Sequence, residues 1–498
     1  MPTPLSSPWR FALAIVLAAL VSHSRVSGAT PARPNLVLIF ADDLGWKDVG
    51  YQGSEFCQTP HIDQLAKDGM VFTNGYAAAG NCAPSRACLL SGNYTPRHHV
   101  YAVGSTNRGP QSLMRLVPIS NKGGLAPENV TIADALKANG YATGCFGKWH
   151  LAGKDGALPT EQGFDVAFDS FGEGKLEEGS EGNKAGPRSD PKGVYTLSNK
   201  ALDFIKEHRS EPFFCYLSHH AIHTPLQGRD ETRQKFAEEL ADNQPNKMLY
   251  ASCTYDLDDS IGRFLNGLDQ LGLSEKTVVV FTSDNGATNA SPQEPLRGNK
   301  GCYYEGGIRE PFIVRWPGVV EAGSRCEVPV INLDLFPTFL ELAGGKLPGE
   351  KQLDGESLLP LLTQSGSLER TAIFWHFPGY LDRPVIRGRD PVFRTRPVSV
   401  IRKGDWKLHL YHEEWALDGG AGQLDRNNAV ELYNLKDDMG ERENLSQMSP
   451  EKRDELLGDL LSWFESTNAK LPIEPNPAYD PDGTPKTGGR TRKRGNGR

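Results

Sequence analysis

The stretch Asn35-Leu36-Val37-Leu38-Ile39-Phe40, followed by Ala41-Asp42-Asp43-Leu44-Gly45, is a short apolar run that ends on two carboxylates. A run without polar alternation reads as a strand buried on both faces, the kind that parallel sheets contain. Thr59-Pro60 then opens a helical pattern with Ile62, Leu65 and Ala66 on one face and Gly69 at its end. A capping residue, a proline in the first turn and a glycine past the last turn mark both ends of that helix.

The same grammar repeats along the chain. Helical patterns at 131–139, 195–207 and about 246–271 alternate with apolar strand patterns at 141–146, 213–217 and 276–282. Alternation of this kind predicts an α/β fold, a mostly parallel sheet between helices. After Gly355 the pattern changes. Strand-like segments at 372–375, 399–402, 406–411 and 431–434 follow one another without helices and predict a small antiparallel sheet. A last amphipathic helix opens at Ser449-Pro450-Glu451 and presents Leu456, Leu457, Leu460, Leu461 and Phe464 on its apolar side. The expected organisation is a leader at 1–29, a catalytic α/β domain at 30–368, a smaller α+β domain at 369–474 and a disordered tail at 475–498. The tail carries six basic residues after Asp482 and no acid.

The chain has 498 residues, is 38% hydrophobic and 23% charged, and carries a formal charge of −8. Net acidity argues against a nucleic-acid partner, because neutralising phosphates needs a concentrated basic face. Residues 11–21 form an apolar run preceded by Arg10 and followed by Ser27, Gly28 and Ala29. The run falls short of the roughly 20 residues that span a bilayer. It is read as a cleavable export signal, placing the protein in a periplasm or outside the cell with no stable membrane insertion. Eight cysteines lie between Cys57 and Cys326 without a tight spacing pattern, so disulfides are optional at this length.

Oxygen ligands stand at two predicted strand ends, Asp42-Asp43 and Asp284-Asn285-Gly286. Ligands of open α/β sheets bind outside such ends, and an all-oxygen set suits Ca²⁺ or Mg²⁺. Loop capping is the alternative role of either motif alone. Between these strands lies Cys82-Ala83-Pro84-Ser85-Arg86-Ala87-Cys88. On residue type alone Cys82 is a catalytic thiol, a partner of Cys88 or a packing residue.

Cys82-Ala83-Pro84-Ser85-Arg86 with Leu89-Leu90-Ser91-Gly92 resembles the signature of the formylglycine-dependent (type I) sulfatases, arylsulfatase-like enzymes of the alkaline-phosphatase-like superfamily. Gly140-Tyr141-Ala142-Thr143-Gly144-Cys145-Phe146-Gly147-Lys148-Trp149-His150-Leu151 is similar to the second signature of that family, with Phe146 in place of a smaller residue. His219-His220-Ala221-Ile222-His223-Thr224-Pro225, Thr282-Ser283-Asp284-Asn285-Gly286, and Gly298-Asn299-Lys300-Gly301 through Glu305 to Pro311 follow in the family's order. The resemblance covers residues 33–316 strongly, and the regions of Asp354-Gly355 and Trp406-Lys407 more loosely.

The resemblance implies a sulfuric ester hydrolase. Cys82 is implied to be oxidised to formylglycine during export by a formylglycine-generating enzyme, and the aldehyde hydrate to be the nucleophile. Asp42, Asp43, Asp284 and Asn285 are implied to hold one Ca²⁺ that also contacts residue 82. Arg86 and Lys148 would steady the hydrate, and Lys300 would grip the sulfate. His223 would protonate the leaving oxygen, while His150 would take the proton from the second hydroxyl before sulfate departs. His219 and His223 also have the spacing of two zinc ligands on a helix, but Pro225 and the preceding strand pattern disfavour a helix there.

Two rival readings remain. One is a phosphatase or phosphonate monoester hydrolase on the same scaffold, against which stands a single metal set. The other is a non-catalytic binding protein, which would be expected to lack Cys82 or Lys300. The substrate is expected to be an aryl sulfate or a sulfated carbohydrate. Arg383, Arg387, Arg389, Arg394 and Arg396 would engage further sulfates of such a glycan or, equally, pair with nearby acids.

Overall fold

A computed structural model of the chain describes residues 33–169, 189–240 and 245–483. The expected leader at 1–29 lies outside the described residues. Eight strands form one sheet: β1 (Asn35–Ala41), β2 (Met70–Phe72), β3 (Ala142–Gly147), β4 (Val166–Phe168), β5 (Phe213–Ser218), β6 (Thr277–Ser283), β7 (Ile313–Arg315) and β8 (Ser324–Cys326). Their spatial order is β4-β3-β5-β1-β6-β7-β2-β8. Strand β1 sits between β5 and β6 and is parallel to both. Among the described strands of this sheet, β7 alone runs against its neighbours, β6 and β2.

All seven residues of β1 are buried, which is why its sequence lacks polar alternation. Leu36, Leu38 and Phe40 enter one core, while Val37 and Ile39 enter the other, because successive side chains leave opposite faces of a strand. Helices α1 (Pro60–Asp68), α4 (Val194–Glu207) and α5 (Pro245–Gln270) cover the second core. Helices α2 (Cys82–Ser91), α3 (Ile132–Ala138) and α6 (Leu335–Leu342) cover the first. Each such apolar side chain contributes roughly 1.5–3 kcal/mol when fully buried, so a sheet covered on both sides is strongly favoured. Phe146, where the family usually has a smaller residue, is accommodated beside Gly144 and packs against Phe204 with ring centroids 5.6 Å apart.

Strands β9 (Ala372–Phe377), β10 (Val398–Lys403), β11 (Trp406–Tyr411) and β12 (Val430–Asn434) form the expected antiparallel sheet, each beside the next in chain order. Helix α7 (Pro450–Thr467) buries Leu456, Leu457, Leu460 and Phe464 against it. Leu461, expected on the same face, is half-buried at the edge of the apolar stripe. Tyr76 and Tyr94 share this core with Trp375 and Val400, and Trp375 Nε1 donates to Ala77 O at 2.8 Å.

The tail expected to be disordered from 475 is tied down over its first residues. Asn476 Nδ2 donates to Gln111 O and Met114 O at 3.0 and 2.8 Å, and Asp480 N donates to Ser112 O at 2.8 Å. Residues 484–498 lie outside the described residues. Among the described residues no helix is long and apolar enough to cross a membrane.

Candidate active site

Parallel register decides which side chains meet at the carboxyl ends of the strands. Ala41 pairs with Ser283, so the residues that follow, Asp42 and Asp284, leave the sheet side by side. Phe40 pairs with Ser218, which also pairs with Gly147, so His219 and Lys148 arrive at the same edge. Asp43 follows at φ 65, the left-handed region that asparagine and aspartate tolerate better than most residues.

Helix α2 brings Cys82 to the same edge. It begins at Cys82 and ends where Gly92, at φ 65, donates its N–H to Cys88 O at 2.8 Å. All ten of its residues are buried, and Pro84 costs no hydrogen bond because first-turn N–H groups have no intrahelical acceptor. Cys82 Sγ stands at the positive end of this helix, 3.5 Å from Asp42 Oδ1 and 3.8 Å from Asp43 Oδ1. Lys300 Nζ donates to that sulfur at 3.0 Å and to Asp43 Oδ1 at 2.5 Å. One turn along α2, Arg86 donates to Asp284 Oδ2 through Nε and Nη2, while its Nη1 contacts Lys148 O, Tyr216 Oη and Ser218 Oγ. Lys148 Nζ donates to Asp42 Oδ2 at 2.8 Å.

Burial and charge set the ionisation of this cluster. Burial would raise the Asp42 carboxyl, but Lys148, His223 and Arg86 hold it well below the ordinary carboxylate value. Asp284 is pushed up to about 6 by burial and then by Asp42, against the pull of Arg86. Burial, reinforced by Asp284, raises the Cys82 thiol well above its usual range. An unmodified Cys82 therefore stays protonated at neutral pH and is a poor nucleophile.

The carboxylates of the site could hold a metal ion. Asp42, Asp43, Cys82 and Asp284 each offer one atom within 4.8 Å of the others. Among the described residues, Asp43 Oδ2 and Asn285 Oδ1 are buried without a hydrogen-bond partner, a state that costs about 1–3 kcal/mol per group in the absence of compensation. Asn285 Nδ2 meanwhile donates to Asp43 Oδ1 at 2.8 Å and to Gly286 O at 3.0 Å, which leaves Oδ1 as the unused acceptor of that amide.

The two histidines frame the cluster. His223 Nδ1 lies 2.6 Å from Thr224 O. A carbonyl only accepts, so that nitrogen carries a proton and Nε2 is left to face Asp43 Oδ2 at 4.0 Å. Burial lowers the His223 pKa, and Asp42 and Asp43 counter part of that effect. His150, at φ 64 two residues beyond Lys148, is held well below its usual pKa by burial and by the Lys148 and Arg86 charges.

Every residue singled out in the sequence for this site, Asp42, Asp43, Cys82, Arg86, Lys148, His150, His223, Asp284, Asn285 and Lys300, falls in this one region. His219 and His223 belong to a turn rather than a helix, so the zinc spacing has no helical face to act on. All eight cysteines are free thiols; Cys88 Sγ lies 3.4 Å from His98 Nε2 instead of bonding to Cys82. The basic stretch divides. Arg389 pairs with Glu414 and Glu431, and Arg396 with Asp390 and Glu413, as the pairing alternative predicts. Arg394 stands apart from these pairs and donates to Lys300 O at 2.9 Å. Tyr216 and Ser218, which clasp Arg86, were not singled out in the sequence, although their alternate positions on β5 place them on one face.

Comparison with known proteins agrees with this geometry. The family profile described as Sulfatase matches residues 34–345, and one described as N-sulphoglucosamine sulphohydrolase, C-terminal, matches residues 298–461. A sulfatase of Formosa agariphila is 30% identical, with 92% of this chain and 94% of that protein covered. Arylsulfatase A of Homo sapiens is 34% identical over 84% of this chain and 85% of its own. The crystal structure of Ps i-CgsB superposes with a TM-score of 0.68 at 28% identity, covering 89% of this chain and 95% of that one. The fold is thus that of the alkaline-phosphatase-like superfamily. Within it, the chain belongs to the sulfatase family and is a sulfuric ester hydrolase, as the family profile and both relatives establish.

Proposed function

We propose that this sulfatase works through a formylglycine made from Cys82 and one Ca²⁺ held by Asp42, Asp43, Asp284 and Asn285, the cation also contacting residue 82. The observation that carries the reading is the convergence of one atom each from Asp42, Asp43, Asp284 and residue 82 within 4.8 Å, together with the buried Asp43 Oδ2 and Asn285 Oδ1, which lack hydrogen-bond partners. When present, the two groups supply an attacking hydroxyl and a Lewis acid for one sulfate oxygen. The chain's own residues do the rest. Arg86 and Lys148 neutralise Asp284 and Asp42 and fix their orientation. Lys300, close to both Asp43 and residue 82, grips the sulfate and offsets charge that gathers on it in the transition state. His223, its Nδ1–H held by Thr224 O, donates a proton from Nε2 to the leaving oxygen as the imidazolium, and His150, neutral through burial, accepts the proton of the second hydroxyl.

The substrate is a sulfate monoester of a carbohydrate or an aryl alcohol. Support comes from the complex of Ps i-CgsB with k-i-k-neocarrahexaose and from N-acetylgalactosamine-6-sulfatase of Mus musculus, 33% identical over 80% of this chain. On this reading residues 1–29 direct export, and a formylglycine-generating enzyme acts on Cys82 during it. The catalytic domain spans 30–368, and the 369–474 domain walls part of the cleft. Mass spectrometry of the peptide containing residue 82, from protein made with the maturation enzyme, should show CH₂SH exchanged for CHO. An unmodified cysteine in fully active enzyme would defeat the reading.

A further inference from the structure

The turn carrying His223 contains a strained residue. Ile222 is fully buried at φ 77, a conformation that is a genuine outlier for a β-branched side chain and costs on the order of 1–3 kcal/mol. It persists because the turn is fastened on several sides. His219 N donates to Phe40 O at 2.9 Å, and His220 Nε2 lies 2.6 Å from Asp169 Oδ1.

A further fastening comes from Lys192, about thirty positions away in sequence. Its Nζ donates to the backbone carbonyl of His223 and lies 3.5 Å from that of His220, so one ammonium bridges the two ends of the strained step. Lys192 is 2% exposed, and burying an ammonium is costly unless acceptors compensate it. It occupies the left-handed region at φ 59, just ahead of helix α4, so its own backbone is held in an uncommon state to deliver it there. The carbonyl it binds belongs to the residue whose ring must aim Nε2 into the site, and the ring's other nitrogen is committed to Thr224 O. A change in the 222–224 backbone would therefore move Nε2 directly.

We infer that Lys192 is a positioning residue that aims His223 at the leaving oxygen by clamping the His220 and His223 carbonyls. The inference rests on the reading of His223 as proton donor. Lys192 touches no reacting atom in this scheme. Its loss acts through the direction of the imidazole, so the damage scales with how much the leaving oxygen needs a proton.

The test is the dependence of kcat/KM on leaving group across substituted phenyl sulfates, from 4-nitrophenyl to unsubstituted phenyl, with matured full-length enzyme. General acid catalysis contributes about 10²–10⁴-fold. His223→Ala should lose that much more on phenyl sulfate than on 4-nitrophenyl sulfate, whose phenolate departs readily unprotonated. Lys192→Met should show the same selectivity at smaller amplitude, about tenfold or more on the poor leaving group and under about threefold on the good one. Lys192→Gln, which keeps a donor to the carbonyls, should fall between wild type and Lys192→Met and serves if Lys192→Met does not fold. Equal loss on both substrates, or no loss, in a folded Lys192 variant overturns the inference while His223 keeps its role. An unselective His223→Ala instead overturns the reading of His223 and takes the inference with it.

Discussion

Arg86 and Asp284 meet with neither side chain exposed, the guanidinium donating through Nε at 3.0 Å and Nη2 at 2.8 Å to the single oxygen Oδ2. The other oxygen of Asp284 accepts the Asp43 N–H at 3.2 Å. One buried pair thus joins α2 to the ends of β1 and β6. Removing one partner of a buried pair leaves an uncompensated charge and costs about 3–5 kcal/mol. Arg86→Met should lower the thermal midpoint and abolish sulfatase activity together. Arg86→Lys should recover part of the stability but little activity, since an ammonium cannot span Asp284, Lys148 O and Ser218 at once. Calorimetry and an aryl sulfate assay on the two variants check this.

Metal removal has a separate signature. A ligand that binds only the folded state adds about 2.7 kcal/mol at a hundred times its dissociation constant. Treatment with EGTA should lower the midpoint and activity, and Ca²⁺ should restore both. Asn285→Ala should raise the Ca²⁺ concentration needed for half-restoration. A midpoint that ignores EGTA and Ca²⁺ would speak against the cation.

The core of this arrangement was legible because parallel sheets write their geometry locally. An apolar run that stops at Asp42-Asp43 names both a doubly buried strand and a ligand at its end. The small sheet was legible because four strand patterns lie close together in sequence, although, against the expectation, a short helix at His412–Leu417 separates the third from the fourth. What the sequence could not show is where side chains from distant segments land. Lys192 carries no motif, and its relation to His223 exists only once α4 is packed. Arg394 and Arg389 look alike in sequence, yet Arg389 lies between Glu414 and Glu431 while Arg394 reaches Lys300 O. The tail reads as disordered by composition, but composition does not register the backbone bonds that Asn476 and Asp480 make to Arg115 O and Ser112 O.

Stability should depend on pH through Asp258, a carboxylate on α5 that takes no part in the proposed chemistry. It accepts the backbone N–H groups of His61 and Ile62 at the start of α1, yet burial lifts its pKa from 3.8 to about 7. Between those values the folded state holds a proton that the unfolded chain has released, so stability falls as pH rises from about 4 through 7. Asp258→Asn, which keeps one acceptor without the charge, should flatten this part of the profile. Thermal midpoints of both proteins between pH 4 and 8 test it; parallel profiles would exclude Asp258 as the source.

Lys407 ties the small sheet to the segment that carries Lys300. It is 0% exposed, and its Nζ lies 2.9 Å from both Glu305 Oε1 and Glu441 Oε1. Glu305 begins the short helix Glu305–Ile308, whose Gly307 O accepts the Gly286 N–H beside Asn285. Burial, opposed by Lys407, lifts Glu441 to about 7, whereas the Lys407 and Arg309 charges outweigh burial at Glu305 and pull it down to about 2. Lys407→Met removes the charge that both acids share, so a midpoint drop equivalent to about 3–5 kcal/mol is expected. The double variant Lys407→Met/Glu441→Gln deletes one of the stranded carboxylates and should be more stable than Lys407→Met alone, a non-additivity that two independent sites would not produce. If the double variant loses the plain sum of the two single losses, the ammonium does not couple the two acids, and the join between β11 and the Lys300 segment rests on the apolar core instead.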